Sequence, residues 1–288
     1  MPPTVAAAVR ARLGKLPPEL EETLGAAAVL GEVFWVEGVA SILGIDLDEA
    51  MLRLDRLTLP DFVRRRGTTR YQGTQELEFA HGVIRSVVLS RLKRPRRREL
   101  EAQAVRFLET AGEREASVLA GHLVQAGSRE PAARLYGTAA ERSIAAGDFG
   151  AAIALSDEGI QLCENKQVSA DAHARLLEAS ARALAYSGDL ESAERAHETL
   201  SGIARPDEAV SRALEHRARI ALERHRFADA TAMATRAAEL CRSLRIPHHE
   251  ATLLLAEASE AADDDRGALK ALVEAQAEMV PVTGLDGE

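Results

Sequence analysis

A short phrase recurs through the second half of the chain, and it constrains the fold more than any other feature. It reads Gly147-Asp148-Phe149-Gly150-Ala151-Ala152, then Gly188-Asp189-Leu190-Glu191-Ser192-Ala193. Weaker copies follow at His225-Arg226-Phe227-Ala228-Asp229-Ala230 and Asp263-Asp264-Asp265-Arg266-Gly267-Ala268. The closing alanines lie 41, 37 and 38 residues apart. Each phrase separates two stretches with helical periodicity. A helix–turn–helix unit returning at such intervals predicts a stacked array, in which each unit buries its apolar face against its neighbours. A second alanine precedes each closing one by the same spacing: Ala140, Ala181, Ala218 and Ala256. Small side chains at both places let two antiparallel helices approach closely, and larger ones would splay them. Such an architecture points to binding rather than catalysis.

From about residue 97 the periodicity predicts helices over 97–111, 115–126, 130–146, 149–163, 168–187, 190–204, 207–224, 227–244, 247–262 and 266–279. Breaks fall at Gly112, Gly127, Asn165, Pro206, Pro247 and the four phrases. Gly147 and Gly188 suit a left-handed helix C-cap; His225 and Asp263 suit it less well. Aromatic residues make up only 3% of the chain, so Ala and Leu must carry the core. Cys163 and Cys241 lie in different units and read as small apolar packing residues.

The first part differs. A helix is expected over 18–30, followed by Gly31-Glu32-Val33-Phe34-Trp35, which carries the single Trp and anchors a core. Shorter helices are expected over 37–43 and, capped by Asp46, over 47–57. The segments Phe62-Val63-Arg64-Arg65-Arg66 and Leu77-Glu78-Phe79-Ala80-His81, separated by a turn-rich stretch, predict a β-hairpin. Three helices followed by a hairpin make a winged helix. A further helix over 82–92 leads to a basic run, Arg91 to Arg98. The expected organisation is a tail over 1–15, frayed or forming a short helix, a winged-helix domain over 16–95, helical repeats over 96–280 and a disordered tail over 281–288.

Charge is uneven. Residues 1–112 hold 17 Lys and Arg against 15 Asp and Glu, whereas residues 113–288 hold 19 against 30. An acidic second half argues against nucleic-acid binding there. No apolar run is long enough to span a membrane or serve as a signal peptide, which points to a cytoplasmic protein with no membrane contact. No metal site is expected: His248-His249 lacks ligand partners at metal spacing, and Asp263-Asp264-Asp265 reads as a solvated charge run.

The repeated alanines and turn phrases resemble the tetratricopeptide repeat (TPR) over about half the chain. The fold class implied is mainly α, a small winged-helix domain followed by a TPR-like α-α superhelix. In that family the first helix of each unit lines a concave groove. The matching groove positions here hold Arg134, Arg175, Arg182, Arg212 and Arg219, with Tyr186 beside them. These residues imply a groove for an acidic peptide or chain terminus, because guanidinium forks grip carboxylates. The competing reading pairs the arginines with Glu178 and Glu215, one turn away on the same helices.

The order of Ala26–Trp35, Phe62–Arg66, Phe79–Arg85 and the transition from Ala139 to Asp148 resembles the carboxy-terminal region of STAND-type signalling regulators. Those bacterial proteins join an ATPase region, a winged helix and TPR-like repeats to a kinase or cyclase. The resemblance implies a non-catalytic regulator or scaffold in signal transduction, with a protein or peptide partner and a kinase or ATPase among the partner classes. His81 matches the family's nucleotide-sensing switch histidine, although Ala80 and Gly82 replace its usual neighbours, and a structural role competes with the switch. The ATPase part is missing, since the chain has no G-x-x-x-x-G-K-S/T loop. No cofactor is expected. Arg64, Arg65, Arg66 and Arg70 on the wing make a docking patch or, as an alternative, a nucleic-acid contact of a transcriptional regulator. DNA is the less favoured partner, because Asp46, Asp48, Glu49 and Asp55 put negative charge on the would-be recognition helix. A nucleotide switch completed by an ATPase in trans is the remaining alternative.

Overall fold

A computed structural model describes residues 5–164, 167–203 and 208–279. The breaks expected at Asn165 and Pro206 and the tail expected over 281–288 lie outside the described residues. The chain is mainly α, with fifteen helices and three short strands among the described residues. It divides into two compact units, Met1–Leu135 and Tyr136–Glu288.

The first unit runs α1 (Val5–Leu13), α2 (Pro18–Leu30), β1 (Val33–Trp35), α3 (Val36–Leu43), α4 (Leu47–Thr58), β2 (Val63–Arg65), β3 (Glu76–Phe79), α5 (Gly82–Arg91), α6 (Arg94–Ala111) and α7 (Ala116–Ala126). Of the two readings of this stretch the short helix holds: residues 5–13 are helical and packed, because Val9 and Leu13, one turn apart, are buried in the core. α2 is the hub of the core: Leu20, Leu24 and the run Ala26 to Leu30 are all buried. Pro18 starts it, where a missing N–H costs nothing.

The expected hairpin forms as β2 and β3, and a third strand joins it. The sheet is antiparallel in the order β1-β3-β2, with Val33 opposite Glu78 and Val63 opposite Phe79. The expectation of a core anchor at 33–35 holds for Phe34 and Trp35, which are buried, but the segment is also a strand.

The basic run does not end this unit. α6 and α7 belong to it, so the seam lies at Leu135 rather than near residue 95. The reason is tertiary packing. Gly38 of α3 faces Phe107 of α6 so closely that a Cβ would sit 2.8 Å from its ring, so only glycine fits the crossing. Phe107 also lies against Trp35, ring centroids 6.1 Å apart. At the far end of α6, Gly112 takes the left-handed conformation and turns the chain into α7.

α8 (Arg129–Ala145) spans the seam, and the second unit continues as α9 (Phe149–Cys163), α10 (Ala170–Tyr186), α11 (Leu190–Ile203), α12 (Glu208–Glu223), α13 (Phe227–Leu244), α14 (His249–Ala261) and α15 (Asp265–Met279). Consecutive helices pack on one another from α9 onward, and α12 also touches α10 and α14. The eight alanines singled out in the sequence are all buried: Ala140, Ala181, Ala218 and Ala256 on the first helices, Ala152, Ala193, Ala230 and Ala268 on the second.

The four turns are one structure written in four sequences. Gly147, Gly188, His225 and Asp263 all adopt positive φ. After each, a backbone N–H reaches back to close the helix: Asp148 to Ser143, Asp189 to Leu184, Arg226 to Ala221 and Asp264 to Ser259, at 2.8–3.0 Å. His225 and Asp263 therefore fill the cap that favours glycine, at a conformational cost. Asp148, Asp189 and Asp264 then cap the next helix by accepting from the N–H three residues on. The third turn has Arg226 instead. It grips both oxygens of Glu194 on α11 at 2.9 and 2.8 Å, replacing a local cap with a cross-helix ion pair.

Candidate functional site

In the second unit α10, α12 and α14 lie side by side as the first helices of successive repeats. Their shared face carries a cleft of about 320 Å³. Four residues singled out from the sequence meet there: Arg182 and Tyr186 of α10, Arg212 and Arg219 of α12. Ile220 and Leu254 supply apolar wall, and Glu215, His216, Glu223 and Glu250 add titratable groups. Helical spacing explains the convergence. Arg212, Glu215, His216 and Arg219 recur at i, i+3, i+4 and i+7 and so share one side of α12.

The ion pairs run across helices. Arg212 donates from Nε and Nη2 to the two oxygens of Glu178 on α10, at 2.7 and 3.3 Å. Arg182 donates to both oxygens of Glu141 on α8 at 3.1 Å. The hydrogen-bonded pairs of Arg182 and Arg212 thus run laterally between successive repeats, while Arg212 and Arg219 also act on Glu215 of their own helix. Arg219 is exposed, near enough to Glu215 to favour its ionised form. Tyr186 is 60% exposed and leans on Phe149, ring centroids 5.2 Å apart, which fixes its ring beside the arginines.

Burial sets the charge state of the cleft. Burial, with Glu250 nearby, raises the Glu215 carboxyl pKa, and Arg212 and Arg219 only partly oppose this. Burial also lowers the His216 pKa; Glu178 opposes, while Arg182, Arg219 and Arg212 reinforce. Behind His216, toward α11, lies His197. The two rings stack 5.2 Å apart at 19°. His197 is fully buried, and neither of its ring nitrogens has a hydrogen-bond partner among the described residues. Burial, then His216 and Arg217, push its pKa down to about 3.

The remaining sequence candidates lie elsewhere. Arg175 sits toward the other end of α10, 71% exposed, near Asp171 at 3.7 Å. Arg134 belongs to the first unit and pairs with Glu130 at 2.8 Å. His216 was missed: it falls between the groove positions read from the repeat. The matching place in the next unit is Leu254, which lines the same cleft.

In the first unit, every wing arginine faces a carboxylate of its own unit. Arg64 pairs with Asp61, Arg65 with Asp55, Arg66 with Glu76 and Glu78, and Arg70 with Glu113. Glu113, its side chain only 2% exposed, also accepts from the Tyr71 hydroxyl at 2.6 Å and the backbone N–H groups of Arg114 and Glu115 at 2.8 Å. Burial disfavours its ionised form, but Tyr71, Glu115 N–H and Arg70 outweigh burial and hold the carboxyl below its ordinary range. Glu76 accepts from Trp35 Nε1 at 3.2 Å. The loop between β2 and β3 is therefore fastened to the α6–α7 turn. His81 is exposed and only its backbone caps α5. Among the described residues no group of three or more His, Cys, Asp or Glu is arranged to hold a metal, and no helix is long and apolar enough to cross a membrane. Cys163 and Cys241 are buried, Cys163 Sγ 3.4 Å from the Gly159 carbonyl and Cys241 Sγ 2.7 Å from Ser211 Oγ.

No protein-family model matches the chain, and no curated protein does. Among solved structures, it is similar to the TPR-like repeats assigned to a kinesin light chain of Podosopora anserina, at 16% identity over 65% of this chain and 96% of that one, TM-score 0.45. It is similar to BtubC of P. vanneervenii at 14% identity over 68% of this chain and 95% of that one, TM-score 0.36. A Pyrococcus horikoshii STAND protein with a tetratricopeptide repeat sensor matches at 13% identity and TM-score 0.38. This chain is covered over 96% of its length there, but spans only 54% of that protein. None of these likenesses says what this chain binds.

Proposed function

We propose that the chain is a non-catalytic protein-interaction module that captures an acidic peptide or chain terminus on the TPR-like face of its second unit. The observation that carries this reading is the convergence of Arg182, Arg212, Arg219 and Tyr186 on one cleft with an apolar wall. Guanidinium groups grip carboxylates bidentately, and an exposed aromatic ring beside them offers contact area for an apolar side chain. Arg219 is the primary contact, being exposed, while Arg182 and Arg212 can exchange an internal carboxylate for one on the ligand.

The first unit is read as a winged helix, which the helix–strand–helix–helix–hairpin order and the β1-β3-β2 sheet support. Its role is docking rather than DNA readout. The pairing of Arg64, Arg65, Arg66 and Arg70 with internal carboxylates favours this, as does the acidic first turn of α4. A signalling regulator whose partner is a kinase or an ATPase is the setting that the STAND resemblance suggests, with His81 as a surface position rather than a core histidine.

The test is direct binding. Fluorescence anisotropy with labelled acidic peptides, their basic counterparts and amidated versions should give saturable binding for the acidic set alone. Affinity should weaken as salt rises from 0.05 to about 0.5 M, as expected for partly exposed charges. Equal binding of acidic and basic peptides would remove the reading.

A further inference from the structure

The cleft, lined by three arginines and three glutamates, also holds a histidine backed by a second one. His216 lines it among three arginines and backs onto His197, a buried imidazole with no hydrogen-bond partner among the described residues. We propose that capture of an acidic ligand in this cleft takes up a proton at His216, so that the ligand binds more tightly as pH falls from 7.5 to 6. The inference rests on the acidic-peptide reading of the same site.

The charges around His216 give the reason. From α10 it faces Glu178 and Arg182, and from its own helix Arg212 and Arg219. From α11 it faces His197, which in turn faces Arg217. Glu215 and Glu250 of α12 and α14 line the same cleft. Glu178, the carboxylate that would favour an imidazolium, is already held by Arg212. In the empty cleft the guanidinium groups of Arg182, Arg219 and Arg212 therefore oppose a proton on His216, and Glu178, the one carboxylate acting on its ring, is shared with Arg212. An incoming carboxylate supplies the missing negative charge. Coupling is reciprocal: whatever the proton adds to ligand affinity, the ligand adds to proton affinity. His197 does not compete for the proton, because full burial beside Arg217 keeps it neutral. It offers a neutral ring face against which the charged His216 can rest.

The linked proton could instead sit on Glu215, whose carboxyl is also pushed up, and the experiment separates the two. Hexaglutamate, ionised above pH 5.5, is titrated into the full chain by calorimetry at pH 7.5 and 6.0. Two buffers of different ionisation enthalpy are used. The expected result is a several-fold gain in affinity, bounded by about tenfold per pH unit for one linked proton, with proton uptake from the buffer. His216→Gln should bind hexaglutamate with no pH dependence, and Glu215→Gln should keep the dependence. Equal affinity at the two pH values, or a dependence that survives His216→Gln, overturns the inference and leaves peptide capture standing. No binding at either pH overturns both. An NMR titration of His216 in the unmodified chain avoids any folding defect of the variant: its midpoint should rise when hexaglutamate is present, and an unchanged midpoint is contrary.

Discussion

Arg212 on α12 holds both carboxylate oxygens of Glu178 on α10, so a single guanidinium ties two successive repeats together at the edge of the cleft. The Glu178 carboxylate is mostly buried and the Arg212 guanidinium is about two-fifths exposed, so the bond has one foot in the core and one in the cleft.

Glu178→Gln should therefore act in two directions. Losing the ion pair costs stability by about 0.5–1.5 kcal/mol, as for a partly exposed charged hydrogen bond. It also releases Arg212, so acidic-peptide affinity should rise. Urea unfolding and anisotropy on the same variant check both; a loss of affinity in a folded variant would contradict the account.

The close alanine contacts make a sharper packing prediction. Ala218→Leu inserts bulk where the α12 backbone meets its neighbours and Ala218 is fully buried. Overpacking there should destabilise the second unit by about 1–3 kcal/mol, whereas a change at exposed Ala261 should be near neutral. The urea midpoint distinguishes them.

The alanines were readable because helical spacing and small size are both local properties of sequence. The turns were readable for the same reason, and the two weaker copies adopt the same cap although His225 and Asp263 tolerate positive φ less well than glycine. What could not be read was lateral. Val33–Trp35 is a three-residue strand whose partner, Glu76–Glu78, lies more than forty residues on, and nothing local marks it. The attachment of α6 to the first unit depends on Gly38 meeting Phe107. In the cleft, the sequence supplied the arginines but paired them along their own helices, because i,i+4 spacing is visible and the alignment of neighbouring repeats is not. The stack of His216 on His197 is set by α11 and α12 packing and left no signal in either helix alone.

The His197 ring predicts an acid limit to stability. Its folded pKa of about 3 lies well below the ordinary value of 6.5. A depressed folded value means that the unfolded chain binds more protons between the two. The stabilisation is complete above about pH 6.5 and is lost progressively as pH falls towards 3. His216 is lowered in the same direction. In thermal melts the unmodified chain should lose stability relative to His197→Phe as pH falls from 7.5 into the acid range. A constant difference would contradict the assignment.

In the first unit, Glu113→Ala removes the acceptor for Tyr71 and Arg70 and leaves a buried hydroxyl unpaired. The expected cost is about 1–3 kcal/mol. Trp35, the single tryptophan, packs against Tyr71 with ring centroids 4.6 Å apart and reports the change. Its emission should shift to the red, and an unaltered spectrum with unaltered stability would show that the loop is held by other contacts.

The central claim is that the cleft arginines, and not positive charge in general, capture the ligand. The most direct measurement compares acidic-peptide affinity in the triple variant Arg182→Glu, Arg212→Glu, Arg219→Glu with that in Arg175→Glu, which reverses an exposed arginine of α10 outside the cleft. Loss of binding in the triple variant, with Arg175→Glu close to the unmodified chain, is the predicted result. Retained binding in a folded triple variant, or an equal loss from Arg175→Glu, would contradict it.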